Sequence, residues 1–187
     1  MSNATGRADA ALAKPQLPRK LQRTDDVAGF QSGADELDTW LTKFAYTNQK
    51  SDSAVTYVTT TQDGRVVGYY AITVSGVSKQ HVPNVVAGNS PPKDIPCILL
   101  ARLAVDWEYQ GKGIGRHLLK DAMERAVGLS ESVGIRALLI HARDEDARNF
   151  YMAQAEFVES PSDPMHLMLS MKDISANLTA RRHLSGS

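Results

Sequence analysis

The chain has 187 residues, 42% of them hydrophobic, and its 21 basic residues balance 21 acidic ones to a formal net charge of zero. That length carries one domain with a sizeable core, no apolar run is long enough to span a bilayer, and the N-terminus lacks an apolar signal-peptide core. The charge balance excludes a nucleic-acid binder that works by global basicity, so a polyanion would need a local basic patch. Residues 1–24 offer Arg7, Lys14, Arg19, Lys20 and Arg23 against Asp9, and Lys43, Lys50, Arg102, Arg116 and Arg143 are able to gather around one cleft. From composition alone, scattered surface charge reads equally well. The single cysteine, Cys97, excludes an internal disulfide framework and fits a reducing cytosol; between Pro96 and an apolar strand it reads as a buried core thiol.

In chain order, residues 1–18 are Ala-rich, end in Pro15 and Pro18, and open on Ser2-Asn3-Ala4, which reads as a cloning scar. They are expected to form a flexible tail. Ser32, with Asp35 three residues on, predicts a helix start, and Leu37, Trp40, Leu41, Phe44 and Ala45 supply its apolar face. Ala54–Thr60 and Arg65–Val74 predict two strands joined by an Asp63-Gly64 hairpin turn. The stretch 79–94, rich in Pro, Gly and Asn, predicts a loop. Then follow a strand over Ile98–Val105, a helix to about Val133, a strand over Ala137–His141, a helix from Asp144 to about Gln154, and two closing strands at Phe157-Val158 and Met165–Met171. The domain is expected over 19–175, with a C-terminal tail at 176–187. The pattern is α/β (α+β) with an early antiparallel meander.

The most informative stretch is Gln110-Gly111-Lys112-Gly113-Ile114-Gly115, placed between a strand and a helix whose apolar face is Ile114, Leu118, Leu119, Ala122, Met123 and Ala126. A glycine-rich turn there aims unpaired N–H groups and a helix dipole at one point, which suits a phosphate. The spacing is neither a P-loop, which needs Ser or Thr after the lysine, nor a dinucleotide fingerprint. A ligand-free turn is the alternative reading. No His/Cys/Asp cluster has metal-ligand spacing, so no metal is expected.

Gln/Arg-x-x-Gly-x-Gly/Ala after a strand resembles the pyrophosphate loop of the GNAT acetyltransferases, with Gln110, Gly113 and Gly115 matching. Leu37-Asp38-Thr39-Trp40-Leu41, Val55–Val58, Gly64–Ala71, Arg102–Asp106, Phe150-Tyr151 and Ser160–Leu169 narrow the similarity to the GNAT toxins of bacterial toxin–antitoxin pairs, over about residues 20–173. The resemblance implies the GNAT fold: a mixed sheet splayed between its fourth and fifth strands and flanked by helices. It implies acetyl-CoA as co-substrate, held by Leu103, Ala104, Val105, Gln110, Gly111, Lys112, Gly113, Ile114, Gly115 and Arg116, with Asn149 from the following helix. It also implies a toxin that acetylates the α-amine of aminoacyl-tRNA and blocks translation in the cytoplasm. Such a toxin has a ribbon-helix-helix antitoxin as partner, forms a homodimer and has no membrane association. Lys43, Lys50 and Arg102 are the residues offered to tRNA.

Tyr151 stands where that family places its general acid. It also shares an apolar helical stripe with Ala147 and Phe150, where a buried aromatic would sit. His141 ends a strand near the cleft and fits a base or a structural role. His166 has no assigned role. The chain departs from many GNATs in Ala155-Glu156-Phe157, one residue longer than the usual Gly-Phe spacing, and at Ala101 and Gln31-Ser32-Gly33. Two other readings stand beside the toxin: an acetyltransferase of a small amine or protein N-terminus, and a non-catalytic acetyl-CoA-binding module.

Overall fold

The computed structural model describes residues 12–185. Seven strands form one sheet: β1 (Arg19–Lys20), β2 (Val55–Thr60), β3 (Val66–Ser78), β4 (Asp94–Val105), β5 (Ala137–His141), β6 (Val158–Ser160) and β7 (Asp163–Ser170). Their order is β1-β2-β3-β4-β5-β7-β6, and only β4 and β5 run parallel. A parallel pair needs a crossover, and helix α4 (Ile114–Ser130) provides it. The remaining helices are α1 (Asp35–Thr39), α2 (Ala45–Lys50), α3 (Asn84–Ala87), α5 (Glu145–Gln154) and α6 (Met171–Ser185).

One register shift shapes the sheet. Ala71 of β3 faces Arg102 of β4, yet Ile72 faces Leu100, so Ala101 is an extra, bulged residue. A bulge bends its strand and ends regular pairing. On the other side of β4, the parallel ladder to β5 runs from Cys97↔Ala137 to Leu100↔Ile140 and stops at that same point. Beyond it, β4 continues to Val105 paired with β3, while β5 stays with β7. The two central strands fork, as a splayed sheet requires.

Side chains on one face of the sheet enter a continuous core with α4, α5 and α6, built on Tyr70, Leu118, Leu138, Ile140, Leu167 and Ile174. The opposite face carries two separate clusters. Trp40, Leu41, Tyr69 and Ala104 pack beneath α1 and α2, and Val82, Val86, Cys97, Leu139 and Met168 pack beneath α3. Cys97 is buried, and burial pushes its thiol up to about 11, which leaves an inert core group.

Several local expectations change. The first helix begins at Asp35 with Ala34 as its N-cap; Ser32 instead donates from its amide and hydroxyl to Asp38 Oδ1. A π-helical turn over Trp40–Phe44 then joins α1 to α2. Its extra residue rotates the stripe, so Trp40, Leu41 and Ala45 are buried while Phe44 is exposed. The stretch read as loop contains a 3₁₀ turn at Lys79–His81 and the short α3. Residues 176–185 of the expected C-terminal tail form the second half of α6, whose Ile174 is fully buried and whose Leu178 packs on the core. Within the expected N-terminal tail, the Gln16 amide donates to Thr60 O, which lays this segment along β2. Residues 1–11 lie outside the described part.

Candidate active site

The loop after β4 is built around a buried carboxylate. Asp106 is inaccessible to solvent and accepts the Gln31 amide at 3.2 Å, the Glu108 amide at 3.1 Å and the Arg65 guanidinium at 3.3 Å. Arg65 also pairs with Glu108 at 2.6 Å. The Trp107 amide returns a bond to Gln31 O at 2.7 Å, and the Gln110 side-chain amide donates to Ser32 O at 2.8 Å and Val105 O at 2.9 Å. A buried charge is tolerated only when paired and hydrogen-bonded, and these bonds tie the loop to the segment before α1. Gln110 therefore acts as a staple in this structure, with its side-chain amide already engaged.

Past Gln110 the backbone turns left-handed twice, at Gly111 (φ 72°) and Gly113 (φ 83°), conformations that a Cβ strains. Gly113 is the N-cap of α4 and offers no side chain to its first-turn amides. No acidic residue occupies that turn. The orphan N–H groups and the dipole's positive end are left for an anion. Gly115 lies one residue into α4 and has no left-handed backbone. A Cβ there would sit 3.4 Å from the Phe150 ring and 3.8 Å from Val105, ordinary contact distances at the seam where α4 meets β4 and α5.

These elements enclose a cleft of about 450 Å³ at the fork. Leu103, Ala104, Val105, Gln110, Gly111, Gly113, Ile114, Gly115 and Arg116 all line it. Lys112 does not; it lines a separate cavity with His117 and the Lys14–Pro18 segment. Asn149 is exposed on α5 and does not line the cleft. Leu37, Tyr109, Arg143 and Gln154 also line the wall. Leu37, Tyr109 and Gln154 were not foreseen, because nothing local in the sequence shows that α1 and the C-terminal end of α5 meet there. Arg143 spans the rim, pairing with Glu36 of α1 at 3.1 Å and Asp144, the N-cap of α5, at 2.8 Å.

Tyr151 lies behind this wall. It is buried between Phe150 (centroids 5.2 Å) and Phe157 (6.4 Å), and its hydroxyl has no hydrogen-bond partner among the described residues. Burial pushes the phenol well above its ordinary range, so it carries its proton throughout physiological pH. Arg102 projects onto the opposite sheet face and stacks its guanidinium 4.5 Å over the Trp40 ring. Lys43 and Lys50 are exposed on the helices that carry Trp40, on that same side of the sheet. The structure therefore separates the two expected groups: the loop residues share a cleft, and the cations sit on or beside the other face. No group of three or more His, Cys, Asp or Glu side chains suited to a metal occurs among the described residues.

Comparison with known proteins agrees with this geometry. The chain is 46% identical over 159 residues to the "tRNA-acetylating toxin" of Mycobacterium tuberculosis, covering 85% of this chain and 94% of that protein. The solved structure of AtaT complexed with acetyl-methionyl-tRNAfMet superposes with a TM-score of 0.79 at 26% identity, covering 86% of this chain and 98% of the other. A Tyr-to-Phe mutant of AtaT, bound to the C-terminus of the antitoxin AtaR and acetyl-CoA, gives 0.72 at 26% identity, covering 87% and 97%. The sequence profile of the Acetyltransferase (GNAT) family matches residues 20–157. The chain belongs to the GNAT family of acetyltransferases, and its co-substrate is acetyl-CoA.

Proposed function

We propose that this enzyme transfers the acetyl group of acetyl-CoA to the α-amine of aminoacyl-tRNA and is a translation-blocking toxin. The observation that carries the reading is near end-to-end kinship with a tRNA-acetylating toxin. The pyrophosphate sits at the open N-terminus of α4, and the pantetheine arm follows Val105, Ala104 and Leu103 toward the fork, where the unpaired side of β4 supplies backbone hydrogen bonds. A backbone N–H there stabilises the oxyanion formed as the amine attacks the thioester. An α-amine titrates at about 7.7–8.0, so a useful fraction is neutral near pH 7 and no strong base is needed.

Tyr151 is the proposed general acid. Its raised pKa keeps the proton available, but a thiolate of about 8.5 is the weaker base, so the transfer has to accompany C–S cleavage. Asn149 and Lys112 are proposed as outer contacts of the cofactor, reached from the rim rather than from inside the cleft. Lys43, Lys50 and Arg102 offer cations to tRNA. The proposal extends to a toxin that works in the cytoplasm, pairs into a homodimer, and is neutralised by a ribbon-helix-helix antitoxin.

The test is radiolabelled acetyl transfer to bulk aminoacyl-tRNA with deacylated tRNA as control. Charged tRNA alone takes label, and Tyr151→Phe lowers turnover by about 10²–10⁴-fold with acetyl-CoA affinity intact. Label on polyamines or protein N-termini but never on charged tRNA moves the enzyme to a different substrate class. An unchanged turnover returns Tyr151 to the core.

A further inference from the structure

On the sheet face opposite α4, beside the fork, lies a cavity of about 470 Å³ whose lining includes Ser75, His81, His141, Ser160, Asp163 and His166. It differs in kind from the glycine-loop cleft, because its titratable side chains are three imidazoles and one carboxylate. His141 is placed by topology. The β4–β5 ladder ends at Leu100↔Ile140, so His141 is the first β5 residue beyond the point where the strands part. Side chains alternate along a strand. Leu138 and Ile140 enter the core under α4, Leu139 enters the cluster under α3, and His141 follows Leu139 onto that face.

His141 is not a lone histidine. Its cross-strand partner on β7 is His166, and the rings stack with centroids 3.9 Å apart and 20° between planes. His166 Nε2 lies 3.5 Å from Asp163 Oδ2. His81, from the turn after β3, is fixed to the β6–β7 hairpin: its Nδ1 pairs with Ser162 Oγ at 2.8 Å, and its carbonyl accepts Ser160 Oγ at 2.7 Å. These are the titratable groups that line the cavity with His141. Burial first, then repulsion from His166, lowers the His141 pKa against a smaller opposing pull from Asp163. The ring is thus neutral and able to accept a proton at physiological pH.

We propose that His141, backed by the stacked His166, is the proton acceptor for the attacking amine, which approaches the fork from this face. The inference rests on the function proposed above, and in particular on a thioester lying at the fork. The amine arrives as ammonium and gives one proton to the His141 imidazole. Its freed lone pair forms the N–C bond to the acetyl carbonyl, the C–S bond breaks as the departing sulfur takes the Tyr151 hydroxyl proton, and the acylated nitrogen sheds its second proton to water. The imidazolium releases its proton to water, and the tyrosinate regains one from water. Two proton carriers on opposite sides of the fork serve the two ends of one displacement.

The test compares pH profiles of kcat/KM for wild type, His141→Gln and His141→Asn. Each is run on charged tRNA and in parallel on glycinamide, an α-amine without RNA, with acetyl-CoA affinity by calorimetry as the control for folding. The variants lose about 10²-fold near pH 6.5. The deficit narrows as pH passes the amine's own pKa of about 7.7–8.0, where solvent deprotonates the nucleophile unaided. His166→Phe keeps a stacked ring but removes the repelling charge, so the acidic limb of the profile moves to higher pH. No deficit, a deficit equal at every pH, or a His166→Phe limb that stays in place overturns the proposal. Wild type active on glycinamide but never on charged tRNA sinks the tRNA reading, and the glycinamide profiles then decide for or against His141.

Discussion

The two faces of the sheet are covered in opposite ways. One lies under α4, α5 and α6 and forms a single core, with Leu118, Leu119, Ala122 and Ile140 all but inaccessible. The other is covered in two pieces, α1–α2 over Tyr69 and Ala104 and α3 over Cys97 and Leu139, with the histidine cavity opening near the second. The continuous face is rigid enough to hold glycine amides at a fixed point, which an extended anionic cofactor needs. The divided face leaves room at the fork for a bulky acceptor. A bulge at Ala101 creates both sites at once, because it ends the β4–β5 ladder where the two coverings meet.

The sharpest way to break the contrast is at Gly113. Glutamate there would adopt a left-handed φ and place a negative charge at the α4 dipole's positive end. Acetyl-CoA affinity falls by about 10²-fold, equivalent to about 2.8 kcal/mol and in the range of lost charge-assisted hydrogen bonds. Nothing lies within 4 Å of the added Cβ, so the confounding effect is the strain of a side chain at φ 83°, which a second variant controls for. Gly113→Asn, whose short side chain tolerates the left-handed region, loses under about tenfold. Equal affinities for Gly113→Glu and wild type in calorimetry remove the loop from the cofactor site.

A smaller effect separates the faces by packing. A Cβ on Gly68 of β3 would lie 3.0 Å from Leu118 Cδ1, 3.1 Å from Thr59 Cγ2 and 3.2 Å from Ile114 Cγ2. Leu118 and Thr59 are buried and Ile114 is the first residue of α4, so the neighbours have little room to give. Overpacking costs about 1–3 kcal/mol and the entropy gain over glycine returns about 0.5–1, so Gly68→Ala is destabilised by about 1 kcal/mol. Denaturant melts read this loss. A stabilised Gly68→Ala shows that the α4 face has slack, against the rigidity assigned to it.

The same asymmetry explains what was legible in the sequence. The β2–β3 hairpin, the glycine loop, α4, β5 and α5 each carry a strong local signal: alternation, Asp63-Gly64, a 3.6-residue stripe, or the Asp144 cap, which accepts the Ala147 amide. The glycines of the loop carry such a signal themselves, whereas Leu103, Ala104 and Val105 follow only from the resemblance to the GNAT fold. The divided face was obscured by long-range pairing and by weak patterns. Neither β1, two residues long, nor α3, set among prolines, has a periodicity to detect. The exception on the continuous face is α6, where Ile174 and Leu178 are isolated among Ala, Ser and Arg, a pattern that reads as a tail. His166 met His141 only through the β5–β7 register, which no local pattern encodes.

The smallest prediction concerns Arg102 and asks whether the divided face binds tRNA through it. Its guanidinium already stacks on Trp40, an arrangement worth about 0.5–1 kcal/mol at a partly exposed site. Stacking uses the planar face and leaves edge N–H groups for a phosphate. Arg102→Met keeps the stem, so stability falls by no more than about 1 kcal/mol and acetyl-CoA affinity is unchanged. KM for charged tRNA rises, and the slope of log affinity against log salt becomes shallower by about 1, the signature of one lost phosphate contact. The salt slope decides between two roles for this residue. If it is the same as in wild type, Arg102 is a packing residue that holds Trp40 over the sheet. Lys43 and Lys50, exposed and without aromatic partners among the described residues, then become the cations to test on that face.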